Sequence, residues 1–270
     1  MNAYQYTTVQ DLRSEYLNAQ QTTDDALLLK LIKTTSKEIN DVTNRWFVPI
    51  IQTRYFDTPE WGAPLLFDAD LLESTALTNG DGTSIAGSDC KYYPLNETPK
   101  SKVVVLPSSS SQWLPDASGN ADGAISQAGV WGYHGDYSSA WEDIGLILSA
   151  STGSASGSIA ATGTLYAGQF LKIGSEYLLV TSSGSTPTVT RAVNGATAAS
   201  HSASAPVYSW DFGEVGQLCK MAAAAYYRLR ANPLGDTISI DGMTFATPKD
   251  VKAYLDQALG DIGLVKLVAG

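Results

Sequence analysis

Apolar residues recur at steps of three and four from Leu27 onward: Leu27, Leu28, Leu31, Ile32, Thr35, Ile39, Val42 and Trp46. That period belongs to a helix with one buried face. Thr22, Thr23 and Asp24 stand upstream as candidate caps, and Asp24 and Asp25 sit where a helix N-terminus favours negative charge. The spacing predicts an amphipathic helix of about 22 residues, closed by the Phe47-Val48-Pro49 run because a residue before proline is driven out of the helical region. A shorter helix capped by Thr7 or Thr8 precedes it, to about Leu17.

From Ile50 to about Leu148 the period shifts towards two. Ile51–Phe56, Pro64–Phe67, Ser84–Tyr93 and Val103–Leu106 read as short strands. Asn79-Gly80-Asp81-Gly82 is a hairpin signal, since these residues tolerate positive φ. The segment Gln127–Tyr137 mixes aromatics with glycines, which suits close-packed strands or a bend. The low-complexity bridge 149–158 then leads into a turn-rich β unit, about Ser158–Tyr208, with strands at Tyr166–Ile173, Tyr177–Thr181 and Thr188–Arg191. Turns are expected at Ile173–Glu176, Ser183–Ser185 and Asn194-Gly195.

Helical period returns over Phe212–Ala231, an alanine-rich run stopped by Asn232-Pro233 and Gly235. A hairpin hinged on Asp241-Gly242 and a last helix opened by Thr247-Pro248 follow. The expected fold class is therefore α+β: a helical core, from the long N-terminal helix and the Ala-rich C-terminal helices, with a central β region and an inserted small all-β module. The expected divisions are 1–49 (N-terminal helices), 50–148 (central β region), 149–210 (linker and inserted barrel or sandwich) and 211–270 (C-terminal helices and an apolar tail).

Composition narrows the chemistry. With 17 basic and 27 acidic residues the net charge is −10, so nucleic-acid binding through a broadly basic surface is not expected. Residues 61–150 hold 11 acidic and 3 basic residues, so the negative excess concentrates in the central β part. Cys90 and Cys219 form no CxxC pattern, and two histidines leave little material for a zinc site. His134 and His201 lie in Gly/Ser-rich turns, no GxSxG elbow exists, and no GK[ST] follows the Asn79–Gly82 glycines. The acidic run Asp57, Glu60, Asp68, Asp70 and Glu73 reads as a solvated face more readily than as a calcium or paired-carboxylate site, because Leu71-Leu72 interrupts any alternating ligand pattern. Trp113, Trp131, Tyr133, Tyr137 and Trp141 read as a β core or, alternatively, as a sugar platform. No catalytic, metal-binding or cofactor-binding residue is expected, and no cofactor. The N-terminus shows no signal-peptide pattern, and no apolar stretch is long enough for a spanning helix.

Several segments, in order, resemble the head–tail connector (adaptor) proteins of tailed bacteriophages. Thr23–Trp46 followed by Phe47-Val48-Pro49 is similar to that family's opening helix and its TNRWF.P-like end. Tyr55-Phe56-Asp57, Leu77–Thr83, Tyr93–Asn96 and Gly129–Tyr133 continue the likeness, and Cys219–Gly235 looks like the family's second long helix. The unit Tyr166–Tyr208 is similar to a small β module of phage virion proteins, with its cues at Ile173–Val180, Thr190–Gly195 and His201.

The resemblance implies no enzymatic activity and a dodecameric ring under the portal, in the virion neck, assembled in the host cytoplasm. Its partners would be copies of the chain, the portal protein, a tail or head-closure (nozzle) protein, and genomic DNA passing without sequence-specific binding; no membrane is implied. On this reading Leu255, Leu259, Leu264, Val265, Leu267 and Val268 are candidates for portal docking or oligomer contact. Leu31, Ile39, Trp46, Tyr226 and Tyr227 are subunit-packing candidates, and Asp57, Asp68, Asp70 and Glu73 are candidates to face a DNA channel. The alternative is a tail or neck protein with a glycan- or host-binding β module.

Overall fold

A computed structural model of the chain describes residues 5–17, 23–231 and 237–266. It forms two compact units: Val48–Ser139, and Met1–Phe47 together with Ala140–Ala269.

The central unit is a five-stranded antiparallel sheet, β1 (Ile50–Phe56), β2 (Leu65–Thr78), β3 (Cys90–Tyr93), β4 (Lys100–Val105) and β5 (Ile125–Trp131), in the order β1-β5-β2-β4-β3. Alternation along these strands buries Leu65, Phe67, Leu71, Leu77, Val103, Ile125 and Trp131 in one core with Trp113. The long strand β2 carries register shifts between Leu66 and Leu71 and again further on, so its first part pairs with β4 and its later part with β5. Gly129 permits that pairing, because a Cβ there would lie 2.3 Å from the Glu73 carbonyl oxygen.

In the second unit, α1 (Val9–Leu12) is capped by Thr8 and runs into a π-helical turn, Arg13–Leu17. Next comes α2 (Asp25–Thr43). A second five-stranded antiparallel sheet follows: β6 (Trp141–Ile147), β7 (Phe170–Ile173), β8 (Glu176–Val180), β9 (Val189–Thr190) and β10 (Pro206–Trp210), ordered β6-β10-β7-β8-β9. Its core joins Leu148, Ile159 and Leu165 to Leu171, Ile173, Leu178, Val180 and Val207. The chain then enters α3 (Gly213–Ala231), the hairpin β11 (Ile238–Ile240) and β12 (Met243–Phe245), and α4 (Pro248–Asp261). Asp241 and Gly242 turn the hairpin with φ of 48° and 78°. Thr247 and Asp250 form a reciprocal capping box with proline in the first turn of α4.

The expected fold class is overturned. The chain is mostly β, with twelve strands in three sheets among the described residues and 30% of residues in strands against 25% in helices. The expected helical core is not seen as the organising element, and the N-terminal helix does not run on to Trp46. Asn44 enters the left-handed region (φ 53°) and ends α2 before the Val48-Pro49 signal can act. The division expected at 148 also moves, because β6 leaves the central region and pairs with β10. The stops expected at Asn232, Pro233 and Gly235 lie outside the described residues.

Candidate functional site

The expected channel-facing carboxylates occupy unlike environments. Asp57 accepts the Gly123 N–H at 2.7 Å, exposed Asp68 takes a two-pronged contact from Arg54 at 2.9 and 3.0 Å, and Glu73 accepts from the Tyr137 hydroxyl at 3.3 Å. Asp70 is only 8% exposed. The register shift within β2 breaks the alternation that would have put Asp68 and Asp70 on one face. Asp70 is therefore corrected from a surface acid to a buried one.

Other acidic residues build turns. Asp81, Asp116 and Asp136 each accept a backbone N–H and a hydroxyl two residues on, from Thr83, Ser118 and Ser138. The hydroxyl bonds first, then the amides, hold all three carboxyls below their ordinary range and keep them ionised.

The apolar C-terminal candidates are mostly spent inside the chain. Leu255 and Leu259 are fully buried on α4, and Leu264 is 7% exposed. The Lys266 N–H reaches the Thr43 carbonyl at 2.9 Å, which ties the segment after α4 to the end of α2. Val265 is at the surface, while Leu267 and Val268 lie outside the described residues. Of the helix candidates, Ile39 is fully buried and serves the monomer. Leu31, Trp46, Tyr226 and Tyr227 are partly exposed, with Tyr226 donating to Glu38 and Tyr227 to Asp24. Cys219 sits fully buried against the Ser36 hydroxyl at 3.5 Å, and burial pushes its thiol up to about 12. Among the described residues no group of three His, Cys, Asp or Glu side chains is placed to hold a metal.

Two centres went unread in the sequence. The first is buried in the insert, where Glu176 stood only as a turn residue. Its carboxylate, 0% exposed, receives Arg191 Nε at 2.7 Å and Nη2 at 2.5 Å, the N–H groups of Ala192 and Ala199, and His201 Nε2 at 2.8 Å. Burial acts to raise this carboxyl, and the bonds from Arg191, Ala199 and His201 outweigh it and hold the group down at about 2. Arg191 also reaches the carbonyls of Gly153, Ser156 and Ala199, so one ion pair pins three stretches of loop. His201 is held within this centre by its bond to Glu176.

The second centre is a cleft of about 380 Å³ in the central unit. Trp61 and Gly62, Val104–Pro107 and Ser109–Trp113 line it. Trp61 is 88% exposed, while Trp113, Trp131 and Trp141, read as a β core or alternatively a sugar platform, are packed inward. The signal that marks Trp61 is its setting, Pro59-Glu60-Trp61-Gly62, a turn with no alternating apolar neighbours to take the indole into a core.

No family model, curated protein or solved structure matches this chain.

Proposed function

We propose that the chain is an architectural subunit of a tailed-phage neck. Its copies close into a dodecameric ring under the portal, join the capsid to a tail or head-closure protein, and line the channel through which the genome leaves. No bond is made or broken in this role. The ordered connector-like segments motivate the reading, and one structural observation carries it. Strand β1 lies at the edge of the central sheet, pairing with β5 on one side and with no strand on the other among the described residues. Its sequence, IIQTRYF, has one charge and no proline or glycine, and Tyr55 stands 69% exposed on it. Proteins that remain monomeric blunt such edges with lysine, proline or bulges, so an unblunted seven-residue strand suits addition of a neighbouring copy.

Charge agrees with this role. The central unit carries eleven acidic and four basic residues, and turn aspartates that stay ionised suit a wall along which a polyanion slides without sticking. The test mixes the purified chain with portal rings, read by sedimentation and negative-stain imaging. Wild type forms rings on portal, whereas Tyr55→Lys keeps its unfolding midpoint and loses ring formation. A wild type that stays monomeric with portal present overturns the proposal.

A further inference from the structure

We propose that the cleft beside Trp61 binds a neutral carbohydrate, with a pyranose ring stacked on the exposed indole. The inference does not depend on ring assembly. Its volume, about 380 Å³, falls at the small end of ligand pockets. The Ser109–Trp113 lining is fixed before any ligand arrives. Buried Asn79 donates to the Gln112 carbonyl at 3.0 Å and accepts the Leu114 N–H at 3.2 Å. Ser111 donates to Asp89 at 2.6 Å, and the Trp113 indole N–H donates to the Ala63 carbonyl at 2.9 Å, tying this segment to the Trp61 loop. A site held this way loses little entropy on binding.

The lining selects the ligand class. No ionisable side chain lines the cleft, so a charged ligand finds no ion-pair partner in it, and the surrounding unit, net −7 from eleven acids against four bases, further disfavours anions such as nucleotides. What remains is one exposed aromatic plate, the aliphatic lining of Val104, Val105 and Leu106, and two neutral polar side chains, Ser110 and Gln112, whose side-chain groups have no hydrogen-bond partner among the described residues. A pyranose offers the complement: an apolar C–H face for the indole and hydroxyls that both donate to and accept from an amide and a hydroxyl. A polyproline segment requires a groove walled by several exposed aromatics, and here Trp113 is 8% exposed, leaving a single plate.

The experiment titrates the full chain with maltose, cellobiose and N,N′-diacetylchitobiose, and with sialic acid and decaproline as contrasts, by calorimetry and saturation-transfer NMR. At least one neutral disaccharide binds saturably, with Kd on the order of 1 mM. Trp61→Ala weakens it by about tenfold or more, Trp61→Tyr retains part of the affinity, and Gln112→Leu weakens it less than Trp61→Ala. Trp61 stands in solvent, so Trp61→Ala keeps the wild-type unfolding midpoint. Absence of saturable binding by every neutral sugar, unchanged binding in Trp61→Ala, or preference for sialic acid or decaproline each overturns the proposal.

Discussion

The insert sheet and the central sheet bury polar centres of different kinds. In the insert the centre is the ionised Glu176 with Arg191 and His201 around it. In the central sheet it is the amide of Gln127, also 0% exposed, which donates to the Ser74 hydroxyl and to the Ala76 and Ala128 carbonyls and accepts from the Tyr92 hydroxyl at 2.9 Å. In both Glu176 and Gln127, every side-chain oxygen and nitrogen has at least one hydrogen-bond partner, as a low-dielectric interior demands. They differ in what failure leaves behind. Without the carboxylate, a guanidinium with 9% side-chain exposure is stranded; without the amide, only neutral groups lose partners. The insert has few regular strand residues between Ser149 and Gln169 and between Arg191 and Ala205, so its loops are held by isolated bridges such as Thr152 with His201 and Leu165 with Gly184, and by the buried ion pair beside them. The central unit leaves its loops to small exposed aspartate turns.

The largest effect is expected from Glu176→Gln. It keeps size and one acceptor but removes the charge facing Arg191, and breaking a buried pair from one side costs about 3 to 5 kcal/mol. Denaturant unfolding should show that loss, with hydrogen exchange accelerated in residues 153–156 and 191–201. The same carboxylate gives the comparison a pH axis. Its folded value, about 2, lies below the ordinary 4.5. The stabilisation is thus fully present above the unfolded value and is lost as pH falls from about 4.5 towards 2. Glu176→Gln should flatten that part of the stability curve, and an unchanged acid profile would show that the ion pair is not the insert's keystone.

Much local structure was legible and much pairing was not. Thr247-Pro248 and Asp241-Gly242 act through their own dihedrals and hydrogen bonds, so their sequence reading needs no knowledge of the fold. The end of α2 was misread because two stop signals compete, and Asn44 acts four residues before Val48. Strand β2 reads as four residues plus an acidic run, yet it spans Leu65–Thr78, since three register shifts scramble the alternation on which the reading depends. The β6–β10 pairing joins segments some sixty residues apart, and no local pattern encodes it. Glu176, Arg191 and His201 were each visible as turn or motif residues, but a buried triad is a fact of tertiary approach. Of the site candidates, exposed Asp57, Asp68 and Glu73 were read as surface acids, while Asp70, Leu255, Leu259 and Leu264 were taken inside by packing that the sequence does not display.

A middle-sized effect is expected at the neutral centre. Gln127→Leu fills the space but leaves the Tyr92 hydroxyl and the Ala76 carbonyl without their partner, at roughly 1 to 3 kcal/mol. Burial already pushes the Tyr92 hydroxyl up to about 12, so it cannot answer by ionising near neutrality. The loss should therefore be the same at pH 4 and pH 7, in contrast to Glu176→Gln. A Gln127→Leu defect that grows or shrinks across that interval would erase the distinction between the two centres.

The smallest effect belongs to the exposed turns. Asp116 accepts from Ser118 N–H and Oγ and from Asn120 N–H, at 2.7 to 2.9 Å, and stays partly open to solvent. In Asp116→Ala, water takes over those amides, so the global unfolding midpoint should hold while exchange at the Ser118 and Asn120 amides speeds up. Neighbouring turns at Asp81 and Asp136 share no partner with it, so the triple alanine variant should behave as the sum of three local loosenings. If the single variant instead lowers the global midpoint as far as Gln127→Leu does, the central unit's loops are part of its cooperative core, and the contrast with the charge-pinned insert is lost.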